Sequence, residues 1–457
     1  MKQAISQLKT LCQDYPEHPL VIAFSGGVDS QVLLHLVCEC LNASHPALLV
    51  DREIVLCHIH HGLSPDADKW LSFAKLQSEA KGVSFRGIKV SLDLSSGESI
   101  EALARDARYK SLASVFQTPA IILTGHHLND QAETFLLALK RGAGVKGLSG
   151  MAITSSLGQH LLCRPLLNVS RADIEAYANE HKLEWVTDSS NADSKFDRNF
   201  IRNQVLPIAT ERWPSFVQTT ARSAALCREN QLLVDELAEQ DLNKIALDSG
   251  ALDLIALSAF SQARFNNVIR FFLARQNAEM PSQAQLKELF TQLASEGDKV
   301  PAVKLGDVWA RRFKQELFFT PDYQDISDFN AEVIFDNAGC SIVQLPDGLG
   351  QLIFTLLDSS SNTDKQAVVF SAPLSSEDKL SIRFTHQNPK ISPDYRDRSR
   401  SLKKVLQELN IPTWERTRLP FIYCDDELVA VPSKFVCKPF LASEHLHKVQ
   451  VHWRLAE

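Results

Sequence analysis

The stretch Pro19–Ser30, PLVIAFSGGVDS, ends in a cluster of groups suited to holding a phosphate chain. Ser25 and Ser30 offer hydroxyls, and the adjacent Gly26 and Gly27 let the backbone turn sharply with no Cβ in the way. Val28 and Asp29 complete the loop. The apolar run Leu20–Phe24 before it reads as a buried strand, and Gln31–Val37 after it has a helical pattern. Strand, glycine loop and helix N-terminus together aim backbone N–H groups and the helix dipole at an anion. There is no lysine in the loop and no GxxxxGK[ST] spacing, so it is not a Walker A loop. Asp29 is unusual beside a polyanion. It reads as a Mg²⁺ ligand, as a holder of a cationic substrate, or as a carboxylate capping the helix.

Four further constellations carry ionisable groups. Gly125–Thr134, GHHLNDQAET, follows the apolar run Ala120–Gly125. Asn129 is the expected helix cap there, and Asp130, Glu133 and Thr134 share one face. His126 and Asp130 at the mouth of a parallel sheet suit proton transfer, metal binding or the gripping of an ammonium group. Asp130 and Glu133 also fit the plainer pattern of acids favoured in a first helical turn. His58-Ile59-His60-His61 ends a second strand; without a Cys or acid at ligand spacing it reads as a polar loop lining the nucleotide pocket, not a metal site. Glu101, Arg105 and Arg108 lie along one helical stripe. They form either an exposed Glu101–Arg105 pair or a guanidinium face for an adenylate or departing pyrophosphate. Asp188–Arg202 mixes acids, amides and arginines, and by composition is a solvated loop leading into a helix.

Positioning these groups requires a sheet. Strand patterns at Leu20–Phe24, Glu53–His60, Val83–Val90, Ala120–Gly125 and Glu184–Thr187 alternate with helical patterns around 29–43, 66–81, 99–116, 130–141 and 170–181. Such alternation predicts an α/β, doubly wound, mainly parallel sheet over residues 1–212, with ligands beyond the carboxyl ends of the strands. After Trp213-Pro214 one long helix is expected from Phe216 to about Asn243. Helical patterns at Phe260–Ala274 and Gln283–Leu293 make 213–320 an α-rich middle domain. Residues 321–375 read as a mixed connecting region, with a turn at Pro346-Asp347-Gly348 between two β-like runs and a loop or linker at Asp358–Asn362. The remainder, 376–457, reads as a small α+β domain with one helix near Ser399–Leu409.

Composition bounds the rest. The 457 residues, 44% hydrophobic and 23% charged, describe a soluble globular protein of two or three domains. The opening residues scatter their charges and contain no apolar core, and no run of about 18 apolar residues suggests a membrane span. Nine cysteines without a C-x-x-C predict reduced thiols in a cytoplasmic protein, with no zinc or iron–sulfur site. A net charge of −7 does not favour nucleic-acid binding by the whole chain. Between Arg383 and Arg418 the sign reverses, with nine Lys or Arg against four acids. That is the local charge a phosphate contact requires.

The glycine loop resembles the pyrophosphate-binding loop of the ATP pyrophosphatases. Taken in order, SGGVDS, HIHHGL, ALARDARY, GHHLNDQAETFLLALKRGAGVKGLSGM, RPLL at 164–167, DSSNADSKFDRNFIR and SLKKVLQELNIPTWERTRLPFIYCDDELVAV at 401–431 are similar to the tRNA(Ile)-lysidine synthetases. The resemblance covers nearly the whole chain and is weakest over 240–380. It implies a Rossmann-like catalytic domain and two smaller tRNA-engaging domains. It also implies a reaction in which ATP and L-lysine convert the wobble cytidine of an isoleucine tRNA with a CAU anticodon into lysidine, changing codon recognition from AUG to AUA. Carried over, Ser25–Ser30 bind ATP, and Asp29 and Asp130 are candidates for Mg²⁺ or the lysine ammonium. His126, Arg105 or Arg108, and Arg198 or Arg202 line the lysine and adenylate site, with His126 or Asp130 as the base. Arg141, Lys146, Arg400, Lys403, Lys404 and Arg416 meet tRNA phosphates. A homodimer is left open. The absence of C-x-x-C argues against a tRNA-thiolating relative. No cysteine at position 2 supports a glutaminase-coupled one, and the intact motif set argues against a non-catalytic binding protein.

Overall fold

The computed structural model describes residues 1–43, 52–93, 95, 99–188, 193–294, 302–357, 367–373, 379–441 and 447–455. The Asp358–Asn362 loop and Ser189–Ala192 of the RNFIR-bearing segment lie outside the described residues. The chain divides into two compact units, Met1–Leu237 and Ala238–Glu457.

The first unit alternates as its sequence pattern requires. Its elements are α1 (Lys2–Asp14), β1 (Leu20–Ala23), α2 (Val28–Ala43), β2 (Ile54–His60), α3 (Ala67–Lys81), β3 (Ser84–Lys89), α4 (Ile100–Ala113), β4 (Ile121–Leu123), α5 (Leu128–Lys140), α6 (Val145–Leu148), β5 (Thr154–Leu157), β6 (His160–Cys163) and α7 (Arg171–Glu180). The sheet order is β3-β2-β1-β4-β6-β5, parallel except for β5. Successive residues of the central strands serve opposite layers. Leu20 and Ile22 join Leu33, Leu36 and Ile174, whereas Val21 joins Ile122 and Leu112. A strand buried on both faces reads as a continuous apolar run, which is why LVIA carries no polar alternation. Each such fully buried side chain contributes about 1.5–3 kcal/mol.

One expected strand is replaced. Glu184–Thr187 is not in the sheet; the edge beyond β4 is formed by the β5–β6 hairpin, which turns at Gly158 (φ +58°). The apolar, β-branched EWVT stretch instead packs over the glycine loop, where Val186 donates its N–H to the Gly26 carbonyl at 3.0 Å. The chain then forms α8 (Asp197–Phe200), a π-helical turn at Ile201–Val205, α9 (Leu206–Arg212) and the long α10 (Phe216–Ile245).

The second unit is less helical than its pattern suggested. Helices Gln262–Arg275 and Gln283–Ala294 form as expected. Their buried faces, with Ile269, Leu273, Leu286 and Leu289, pack on a four-stranded antiparallel sheet made by 252–253, 302–305, 308–313 and 316–321. The short strands VWARRF and ELFFTP lie between turns that a helical reading passes over. Further along, strands Cys340–Gln344 and Gln351–Leu357 flank the Pro346-Asp347-Gly348 turn and pair onward with the last strand, His447–Arg454. That sheet and a five-stranded one share a core around Phe354, Phe370 and Phe421, with helix Leu402–Glu408 packed on it.

Candidate active site

The strand order places the reversal of winding between β1 and β4, and the loops that leave these two strands lie side by side. A Cβ built on Gly125 would come within 3.1 Å of the Asp29 carbonyl. Glycine lets the β4 loop approach the β1 loop without pushing that backbone aside. Gly26 sits at φ +89°, and a Cβ there would meet Val186 at 2.7 Å. The loop is fastened by Ser30 Oγ donating to the Gly27 carbonyl (2.8 Å) and by the Gly27 N–H donating to Ser25 Oγ (3.4 Å). His58 backs it from β2, donating from Nδ1 to the Phe24 carbonyl at 2.9 Å. The first N–H groups of α2, at Val28–Ser30, are donors that a helix leaves without intrahelical acceptors.

Asp29 of this loop stands in one network with two further carboxylates, Asp130 and Glu133. Asp29 Oδ2 accepts from Arg171 Nη1 at 2.6 Å, while its Oδ1 is buried without a hydrogen bond and lies 3.6 Å from His127 Nε2. Burial pushes the Asp29 carboxyl above its ordinary range, against the pull of His127 and Arg171. Asp130 Oδ2 accepts from the His127 backbone N–H at 3.0 Å, and its Oδ1 meets Arg202 at 3.2 Å and Arg198 at 3.5 Å. Burial works against the charge of Asp130, but His127, His126, Arg198 and the His127 amide outweigh it and hold the carboxyl low. Glu133, fully buried, accepts from Arg198 Nε at 2.8 Å and from Arg202 Nε at 2.6 Å. A buried carboxylate needs such paired donors to remain charged.

Most of the expected residues converge. Arg198 and Arg202, offered by sequence as alternatives, act together on the same two acids. His126 stands at the end of β4, its Nδ1 2.8 Å from Thr124 Oγ1, and burial lowers it to about 3. Arg105 lies over the Tyr109 ring at 5.0 Å. Neither Arg105 nor Arg108 forms a salt bridge among the described residues, so the Glu101–Arg105 pair is not made. Burial lowers Arg108, and the positive charges of Arg105 and Arg198 add to that effect. Arg108 thus stands within the field of both Arg105 and Arg198, with no carboxylate bound to it among the described residues. Arg141 and Lys146 are exposed beyond α5.

In the second unit the basic stretch sorts itself. Arg396 and Arg400 share Glu408, Arg418 holds Asp347, and Arg416 donates to the Ile411 carbonyl at 2.8 Å. Lys403 and Lys404 are exposed and make no ion pair among the described residues.

The expected cap is corrected. His127, not Asn129, caps α5: its Nδ1 accepts the Asn129 N–H at 3.2 Å, and Asp130 closes the box on the His127 amide. An accepting Nδ1 leaves the ring proton on Nε2, between Asp29 and Asp130 at 3.6 Å from each. Sequence reading chose the neighbouring His126 and passed over His127, Glu133 and Arg171. Glu133 carried a signal in its spacing from Asp130. Arg171 carried none, since its bond to Asp29 spans 142 residues.

A glycine loop at the switch point of a parallel sheet, faced by carboxylates and arginines, defines a nucleotide-binding enzyme of the pyrophosphatase-loop class. The family model of PP-loop domains matches residues 1–209, that of the TilS substrate binding domain residues 252–318, and that of the TilS substrate C-terminal domain residues 380–453. The tRNA(Ile)-lysidine synthase of Serratia proteamaculans (strain 568) is 42% identical over 436 residues, covering 95% of this chain and 95% of that protein. That of Vibrio atlanticus (strain LGP32) is 41% identical over 434 residues, covering 92% and 93%. The Pectobacterium atrosepticum enzyme is 40% identical over 435 residues, covering 95% and 94%. The chain belongs to the tRNA(Ile)-lysidine synthase family.

Proposed function

We propose that this chain is a cytoplasmic ATP-dependent ligase that joins L-lysine to C2 of the wobble cytidine of an isoleucine tRNA with a CAU anticodon. The observation that carries the reading is the junction of the two strand-end loops, where a phosphate-binding turn abuts acids that can select an ammonium group. Cytosine O2 attacks the α-phosphorus of ATP and pyrophosphate leaves. The lysine ε-amine then attacks C2, the C2–O2 bond breaks, and AMP departs with that oxygen. The target base must leave its stack to reach the cleft.

Each residue's role follows from its surroundings. Ser25–Ser30 hold the phosphates, and Arg105 and Arg108 bring uncompensated positive charge to the adenylate or the leaving pyrophosphate. Asp29 and Asp130 supply negative charge for the lysine ammonium, with Arg198 and Arg202, anchored on the buried Glu133, fixing the orientation of Asp130. Asp130 is kept ionised by its donors and His126 is uncharged at neutral pH, so both stand in the form that can take the departing proton. The buried Asp29 Oδ1, which makes no hydrogen bond and has the His127 ring 3.6 Å away, fits a Mg²⁺ ion, which takes one or two carboxylates and fills its shell with phosphate oxygens and water. When bound, Mg²⁺ would draw charge from the departing pyrophosphate. Arg141, Lys146, Lys403 and Lys404 meet tRNA phosphates.

A thiolating relative would need a reactive cysteine thiolate. Cys57 and Cys163, at the sheet, are buried, and burial pushes them to about 12 and about 11. Those thiols stay protonated.

The test is incorporation of labelled L-lysine, with ATP and Mg²⁺, into an isoleucine tRNA transcript carrying CAU, against the same transcript with uridine at the wobble position. Label in the first alone, with equal AMP, is the expected result. AMP without label would overturn the choice of nucleophile, and neither product would overturn the reading.

A further inference from the structure

The segment Phe196–Val205 inverts the usual amphipathic order. Its arginines turn inward: Arg198 and Arg202 grip the fully buried Glu133 and the buried Asp130. Its aromatic rings turn outward, with Phe196 41% and Phe200 44% exposed. The two rings are one turn apart, joined by a hydrogen bond from the Phe200 N–H to the Phe196 carbonyl at 2.9 Å, and therefore share a face. An outward pair of phenyl rings on a segment whose two arginines turn inward is not explained by folding, since the same helix would gain by burying them. Beside Phe200 runs an open groove lined by Leu136, Lys140, Asp197, Ile201 and Val205. Lys140 closes one side of it through Asp197 at 2.6 Å, and exposed Arg141 and Lys195 extend the positive edge.

We infer that Phe196 and Phe200 form a stacking shelf for an unpaired anticodon-loop base adjacent to the one being modified. The inference rests on the proposed function and names the surface that holds the loop while the target base enters. Single-stranded RNA is recognised by splaying bases onto aromatic faces, and the cations flanking the shelf suit the backbone that must pass it. The arginine-bearing turn thus works on both sides, ordering the acids inside and an RNA base outside. A base stacked on Phe200 would also press on the turn that positions Arg198, next to Glu133.

The test uses the full chain and an anticodon stem-loop RNA with cytidine at the wobble position, read by fluorescence anisotropy across a salt series. The wild type is measured first; failure to bind or to be lysylated there defeats the functional reading itself. The double variant Phe196→Leu, Phe200→Leu keeps apolar volume and removes the rings. It should bind the stem-loop about tenfold or more weakly, within the range that base stacking supplies. Its ATP affinity should be unchanged, and so should its salt slope, because the cations that meet phosphates are all still present. Phe200→Trp should retain wild-type affinity. Three results would overturn the shelf: unchanged stem-loop affinity in the double leucine variant, an equal drop in affinity in Phe200→Trp, or a change of oligomeric state by light scattering in the leucine variant. The last would make the face an interface between copies.

Discussion

Arg171 Nη1 donates to Asp29 Oδ2 at 2.6 Å, tying the first residue of α7 to the glycine loop. The same residue is anchored twice more. Its backbone N–H donates to Asn129 Oδ1 at 3.1 Å, and its Nε donates to Glu175 at 2.7 Å. One oxygen of Asp29 is therefore fixed and the other is left buried without a hydrogen bond. Arg171→Gln should raise the Mg²⁺ concentration needed for half-saturation of ATP binding by about tenfold, the equivalent of about 1.4 kcal/mol. Glu175→Gln, which removes only the outer partner, should leave that midpoint in place. Titration calorimetry with Mg²⁺ and ATP, in the absence of tRNA, reads both.

Glu133 is the partner on which both inward arginines depend. Glu133→Gln leaves two guanidinium groups short of negative charge in a buried setting, and removing one member of such a network costs about 3–5 kcal/mol. Chemical denaturation should show a decrease of that size. Asp130→Ala should abolish lysidine formation while largely sparing tRNA binding; an equal fall in both would remove Asp130 from the chemistry.

Acid should destabilise the first unit in a particular window. His126 is lowered by burial from 6.5 to about 3 and His61 from 6.5 to about 4. A group whose folded pKa lies below its unfolded value binds fewer protons when folded, so stability falls as pH drops below 6.5. The fall continues to the folded values. His126→Gln should make the decline of melting temperature between pH 6.5 and 4 shallower. An identical slope would mean that the imidazole is not shielded as described.

Lys403→Ala with Lys404→Ala should weaken tRNA binding and reduce the salt slope by about 2, roughly one unit for each phosphate that is no longer neutralised. Arg400→Ala should change the slope less, because Arg400 already shares Glu408 with Arg396. Filter binding over a salt series separates the two.

Local chemistry was readable in the sequence, and partners across the fold were not. The SGGVDS loop, the α5 acids and the long α10 follow from strand, glycine and periodic signals confined to a few residues. Glu184–Thr187 looks like a strand because Trp185, Val186 and Thr187 favour extended backbone. The stretch is used to cover Gly26 and not to join the sheet. The cap fell to His127 because an imidazole nitrogen can accept as Asn does, a choice propensity does not favour. Arg171 and Arg198 stand in ordinary helix-starting contexts, and only the folded sheet brings them to their acids.

The π-helical turn at Ile201–Val205 carries one residue more than an α-helix would use over the same rise. Each residue of a helix turns the chain by about 100°. The wider turn absorbs that residue, so the α-helical flanks keep their relative rotation, and Arg202 inside it reaches Glu133 beside Arg198 from the turn before. Spacing in this turn is thus as much a determinant of the site as residue type. A chain that gained or lost a residue in the regular helix beside it, with no such widening to absorb the change, would keep its letters and turn its arginines by about 100°.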